Sequence, residues 1–128
     1  MLKMTKKILI VDDVNFNIEF ESKIILNMMS ELKIDCNIDE ANTVEKAYEL
    51  IDNSDPYDAM IIDMNLPDGT GVEIAKYARK KSEETRLAAL TIYPNEYAKE
   101  RSYFDLFMKK PIMVQSFMQN FMRLLQIG

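Results

Sequence analysis

Short apolar runs that stop abruptly at a polar residue alternate with stretches of helical periodicity, and this order admits few folds. "KILIVDD", "YDAMIID", "RLAALT" and "DLFMKKP" are the runs, ending at Asp12, Asp63, Thr91 and Lys110, with "CNIDEA" as a weaker strand suited to a sheet edge. Continuous rather than alternating apolar residues mark strands buried on both faces of a parallel sheet. Between them Ile18, Ile25, Met28, Met29 and Leu32 recur at helical spacing from Asn15 onward. Thr43 is placed to cap a second helix carrying Val44, Ala47, Tyr48 and Ile51. A third helix is predicted over about residues 72–81, a short polar one in "NEYAKERSYF", and an amphipathic last one with Val114, Phe117, Met118, Phe121, Leu124 and Leu125. Strand and helix alternate five times. That predicts an α/β fold with right-handed crossovers and a doubly wound five-stranded parallel sheet covered on both faces.

The 128 residues suit one domain, taken as 1–128, without linker or repeat. A formal net charge of −5 argues against nucleic acid or an anionic membrane as a partner, since both need a basic surface. Cys36 is the only cysteine, so no internal disulfide forms. The basic start is followed only by "ILIV", too short for a signal-peptide core, and no stretch approaches a membrane span. The expectation is a cytoplasmic protein with no membrane insertion. There is no histidine, which excludes a histidine triad, histidine metal ligands and a phosphohistidine on this chain.

In such folds ligands bind beyond the carboxyl ends of the strands. The residues there are Asp12, Asp13, Asp63, Thr91 and Lys110. Clustered carboxylates are costly unless a cation sits among them. Hard oxygen donors without histidine or cysteine suit Mg²⁺. A lysine and a threonine opposite suit a phosphoryl group, with one carboxylate as nucleophile.

On "ILIVDD", "IIDMNLPDGTG", "ALT" and "KKP", in that order and at suitable separations, the chain resembles a response-regulator receiver domain over essentially its whole length. The resemblance implies a flavodoxin-like (βα)5 fold with strand order 2-1-3-4-5. It implies Asp63 as phosphoacceptor and Asp13 as a direct Mg²⁺ ligand, with Asp12 helping through water or as a second acid. The main-chain carbonyl of Asn65 completes the metal shell, and Lys110 pairs with a phosphoryl oxygen. Thr91 moves to bond the phosphoryl group, and Phe107 holds the switch-aromatic position, where plain core filling is the other reading. Lys109 is the rival for the lysine role, but strand alternation points it away and Lys110 precedes the proline. The implied donor is a histidine kinase or a histidine-phosphotransfer protein, and the implied output is a downstream protein contacted through the surface of helix four, strand five and helix five. The chain would catalyse its own aspartyl phosphorylation and dephosphorylation without being a conventional turnover enzyme.

Three features depart from the family pattern. Ile92 follows Thr91 where a small residue is usual, so it is a gatekeeper candidate for the phosphoryl pocket, or else a core packing residue. The segment from Thr91 to Lys110 is short. Tyr103 and Phe104 replace a usual Gly-Ala pair. The last two predict a short or irregular helix four. A pseudo-receiver acting only as an interaction module is the alternative. A stand-alone regulator and a piece of a longer protein stay open, with Asn17 leaning toward the hybrid-kinase type.

Overall fold

The computed structural model describes residues 5–126 and, within them, every side chain except those at 96–98. In chain order the elements are β1 (Thr5–Val11), α1 (Asn15–Glu31), β2 (Asp35–Ala41), α2 (Val44–Asn53) and β3 (Ala59–Asp63). There follow a hairpin of β4 (Asn65–Leu66) and β5 (Gly69–Thr70), then α3 (Gly71–Lys81), β6 (Arg86–Thr91), a 3₁₀ helix (Pro94–Tyr103), β7 (Leu106–Lys109) and α4 (Val114–Leu125). The main sheet is parallel, in the order β2-β1-β3-β6-β7. With the hairpin set aside, this is the 2-1-3-4-5 order that the family resemblance implies.

The apolar runs work as two-faced strands. Ile8 and Ile10 join Ile61, Ala88 and Leu90 in the core under α1 and α4. Leu9 and Val11 point the other way and join Met60, Ile62, Leu87 and Ala89 under α2 and α3. Each Val, Leu, Ile or Met side chain so buried contributes roughly 1.5–3 kcal/mol.

The inward stripe of α1 differs from the predicted one. Leu32 is exposed, because α1 ends at Glu31 and the chain turns through Lys33 in the left-handed region (φ 58°). The N–H groups of Lys33 and Ile34 close the helix on the carbonyls of Ser30 (3.0 Å) and Met29 (2.9 Å). The stripe contains instead a wholly buried acid, Glu21, between Ile18 and Ile25. Val114, predicted on the inner face of the last helix, is also exposed. As the first turn after a strand's carboxyl end, it lies at the rim of the sheet rather than over it.

The α2–α3 side is fastened by polar groups at both ends. Thr43 caps α2 as expected, accepting from the Lys46 N–H (3.0 Å). The Asp68 carboxylate, from the hairpin, accepts from the N–H groups of Val44 (2.7 Å) and Glu45 (3.0 Å). These donors lack intrahelical partners. At the other end the Lys81 ammonium donates to the carbonyls of Ile51 and Ser54, each at 2.6 Å. Thr70 and Glu73 form a capping box at the start of α3. Gly71 permits a close approach: a Cβ there would lie 2.7 Å from the Asp63 carbonyl oxygen and 2.8 Å from Ile62.

The predicted short polar helix is the 3₁₀ segment. None of its described residues is buried. Its far end is tied to α3 by Arg79, which donates to the carbonyl of Tyr103 (3.3 Å) and to Asp105 (3.0 Å).

Candidate functional site

Strand ends build the site. β1 runs into Asp12, whose carboxylate accepts from the Val14 N–H at 2.9 Å and stands 3.4 Å, at each oxygen, from the amide nitrogen of Asn17. β3 ends in Asp63, whose Oδ1 accepts from the Asn65 N–H at 3.2 Å. Asp12 and Asp63 are buried, while Asp13 is exposed. One ligand oxygen from each of the three carboxylates lies within 4.8 Å of the others. From the far side Lys110 reaches Asp63 Oδ2 at 3.2 Å and Asp12 Oδ2 at 3.5 Å. Lys109 is exposed, so alternation has separated the two lysines as the sequence implies. The Lys110–Pro111 peptide is cis.

The electrostatics follow from burial. Loss of solvent raises the Asp63 carboxyl above its ordinary range, against the Asn65 N–H and the Lys110 ammonium, which favour the carboxylate. Burial works against the Lys110 charge as well, but Asp12 and then Asp63 outweigh it and its pKa rises. The result is a paired, partly desolvated site with a cationic arm over its nucleophile candidate. Three carboxylates with oxygen donors only, this close together, fit a small hard divalent cation.

The other predicted residues sit around this cluster. Thr91 is buried at the end of β6, and its Oγ1 accepts from the Tyr93 N–H at 3.1 Å. Phe107 is half-buried, edge-on to Phe104 with centroids 5.3 Å apart, and the Arg101 guanidinium lies 5.0 Å from its ring centre. Ile92 is 55% exposed, which removes the core-packing reading. It borders an apolar recess shared with Phe16, Asn17, Phe20, Lys110, Pro111 and Ile112.

Glu21 was absent from the sequence-derived set. It is buried, and both its carboxyl oxygens lack a hydrogen-bond partner. Burial first, then Asp12, hold its carboxyl well above the ordinary range, with Lys110 pulling the other way. Its only sequence signal is the spacing Ile18-Glu21-Ile25, which places an acid on the inward face.

Fold and site together define a doubly wound α/β domain with an acid pocket and a lysine at the strand ends. A family model for the response regulator receiver domain matches residues 8–120, and the chain belongs to that family. It is 31% identical over 112 residues to the response regulator protein PilR of Pseudomonas aeruginosa, covering 84% of this chain and 23% of that protein. It is 27% identical over 120 residues to hybrid signal transduction histidine kinase L of Dictyostelium discoideum, covering 86% of this chain and 7% of that protein. The chain thus spans less than a quarter of the length of either relative. Among solved structures it resembles the response regulator TrrA of Thermotoga maritima in complex with Mg²⁺-BeF, with TM-score 0.74, 25% identity, and coverage of 94% of this chain and 99% of that one. A CheY-like receiver domain of Methanospirillum hungatei gives TM-score 0.76 at 21% identity, covering 95% of this chain and 94% of that one. The chain is therefore a receiver domain of the two-component response-regulator type. The pseudo-receiver alternative finds no support. Among the described residues no helix is long and apolar enough to cross a membrane.

Proposed function

We propose that this receiver domain accepts a phosphoryl group on Asp63 and thereby switches a protein-binding surface. The observation that carries the reading is the Asp63 carboxylate at a strand end, 3.2 Å from the Lys110 ammonium and grouped with Asp12 and Asp13. A phosphohistidine on a kinase or phosphotransfer protein is the donor. Asp63 attacks phosphorus in line, the Oδ–P bond forms, the P–N bond breaks, and the electron pair returns to the donor imidazole. Asp12, Asp13, Asp63 and the main-chain carbonyl of Asn65 are the residues that would hold Mg²⁺. When bound, it supplies positive charge against the transferring group. Lys110 offsets a further share of that charge, and Asn65 with Tyr93 flanks the path of the hydrolysing water.

Thr91 then turns from the Tyr93 N–H toward the phosphoryl group, Phe107 repacks, and the surface made by the 3₁₀ segment, β7 and α4 changes its population. The output is a protein contact made in the cytoplasm, not nucleic-acid binding. The relatives include both a response regulator and a hybrid kinase, so residues 1–128 act either alone or as one domain of a longer regulator.

The test is intact mass after incubation with Mg²⁺ and a small acyl phosphate. One phosphoryl group should be gained, in an alkali-labile form, and Asp63→Asn should lose it. An equal and stable gain on Asp63→Asn would refute the assignment. Nuclear magnetic resonance shifts on adding Mg²⁺ should centre on Asp13, Asp63 and Asn65 and weaken in Asp13→Ala.

A further inference from the structure

Asp12, Asp63 and Thr91 are buried because the site needs them, and buried Thr85 bonds the Tyr57 carbonyl at 2.7 Å. Glu21 is the remaining buried polar residue among those described, and phosphotransfer as set out above gives it no task. Such a group costs stability unless something engages it.

Its position in α1 indicates what that is. Asn17 and Glu21 are four residues apart, so they lie one above the other on the same helix face, about one turn of 5.4 Å apart. The Asn17 amide nitrogen stands 3.4 Å from both Asp12 oxygens. Asn17 and Phe20 also share the recess that Lys110 lines. Glu21 therefore stands one turn from the point where α1 meets Asp12, which in turn holds Lys110 at 3.5 Å, with Ile18 and Ile25 beside Glu21 in the core. Asp12, Lys110 and Asp63 are the charged groups that act on it.

Lys110 supplies the other half. Its ammonium is held by Asp63 at 3.2 Å and Asp12 at 3.5 Å. Those two carboxylates are the ones that the proposed reaction engages with a cation and a phosphoryl group. As they are engaged, the ammonium exchanges carboxylate for phosphoryl oxygens, and the N–H that faced Asp12 needs another acceptor.

We propose that Glu21 is a positioning residue whose carboxyl is the reserve acceptor for the Lys110 ammonium, taken up as Asp12 and Asp63 turn to the cation and phosphoryl group. The inference rests on the phosphoacceptor reading. No proton has to move, because a carboxyl oxygen accepts from the ammonium N–H in either protonation state. Held by Glu21, the ammonium keeps its remaining N–H groups directed at the phosphoryl oxygens.

The wild-type protein gives the first measurement. The nuclear Overhauser cross-peak between the Lys110 ε-methylene and the Glu21 γ-methylene should strengthen on adding Mg²⁺ and beryllofluoride. An unchanged cross-peak overturns the proposal. Variants give the second. Glu21→Gln keeps a carbonyl acceptor at the same reach, whereas Glu21→Leu keeps the volume and removes the acceptor. Phosphorylation by acetyl phosphate should slow by about tenfold in Glu21→Leu and by much less in Glu21→Gln. The Lys110 ammonium signal of the beryllofluoride state should broaden through faster hydrogen exchange in the Leu variant alone. Wild-type rate and signal in Glu21→Leu would also overturn the proposal. Failure of the wild-type protein to take up phosphate on Asp63 would instead refute the phosphoacceptor reading.

Discussion

The chain leaves β3 and β6, neighbours in the sheet, by two opposite routes. After Asp63 it folds at once into a hairpin, enters α3 through a capping box, and buries Gly71, Ile74, Ala75 and Ala78. The hairpin also caps α2 through Asp68, and Lys81 closes the other end of α2. After Thr91 the chain passes through exposed Ile92 and Tyr93 into a 3₁₀ segment without a side-chain cap, none of whose described residues is buried. Its far end depends on Arg79 and on Lys76 stacked over Tyr103 at 5.1 Å. The lesson is a division of labour. The half of the site that carries Asp63 and Asn65 is fixed by caps and core, so the Asp63 carboxylate is held in place before any ligand arrives. The half that carries Thr91 has few buried groups to lose, as segments that rearrange must.

The largest effect that tests this contrast comes from Gly71→Ala. The added methyl meets the Asp63 carbonyl and Ile62, so about 1–3 kcal/mol of stability should be lost, together with phosphoryl uptake. Ser102→Ala, in the exposed segment, should stay within about 0.5 kcal/mol. Equal urea midpoints for the two variants would break the comparison.

Glu21→Leu provides a reference on the α1 side, with a pH signature. Burial raises the folded-state pKa of Glu21, so the folded state holds this proton more tightly than the unfolded chain does. The stability this contributes is complete below the unfolded value of about 4.5 and is lost as pH rises toward the folded value. Removing the acid should therefore stabilise the protein by about 1–3 kcal/mol near pH 7, with a smaller gain near pH 4. Denaturant midpoints at the two pH values measure it, and a gain that is larger in acid would contradict the sign.

Thr70→Ala should cost about 1 kcal/mol by removing the cap of α3, without changing hydrogen exchange in the 3₁₀ segment. Ile92→Ala should change stability least, within about 0.5 kcal/mol, because the side chain is 55% exposed. It should nevertheless speed phosphorylation by a small donor severalfold by widening the entrance to the site. A large stability loss with no gain in rate would remove the gatekeeper role.

What the sequence disclosed follows the same contrast. Asp12, Asp63, Thr91 and Lys110 were legible because each ends an apolar run, and the topology of a parallel sheet brings such ends to one rim. Thr70 and Glu73 carried the capping-box spacing before an apolar run, a signal that was present and unused. The Asp68 cap on α2 was illegible, since it joins residues 24 apart through the tertiary fold. Glu21 was hidden for a different reason: apolar periodicity assigns polar residues to the outer face, so a buried acid reads as a gap in the stripe.

One edge of the sheet bears on how copies of this protein behave in concentrated solution. Among the described residues β2 pairs with β1 alone, and an unpaired strand border is a template for a second chain. Asp35 and Glu40 are exposed on that strand, and the whole chain carries a formal net charge of −5. Two such borders approaching each other meet like charge at about 5 Å strand spacing, well inside the screening length of about 8 Å at physiological ionic strength. Colloidal stability should thus be greatest in dilute salt near neutral pH, and should fall as the carboxylates are screened or protonated.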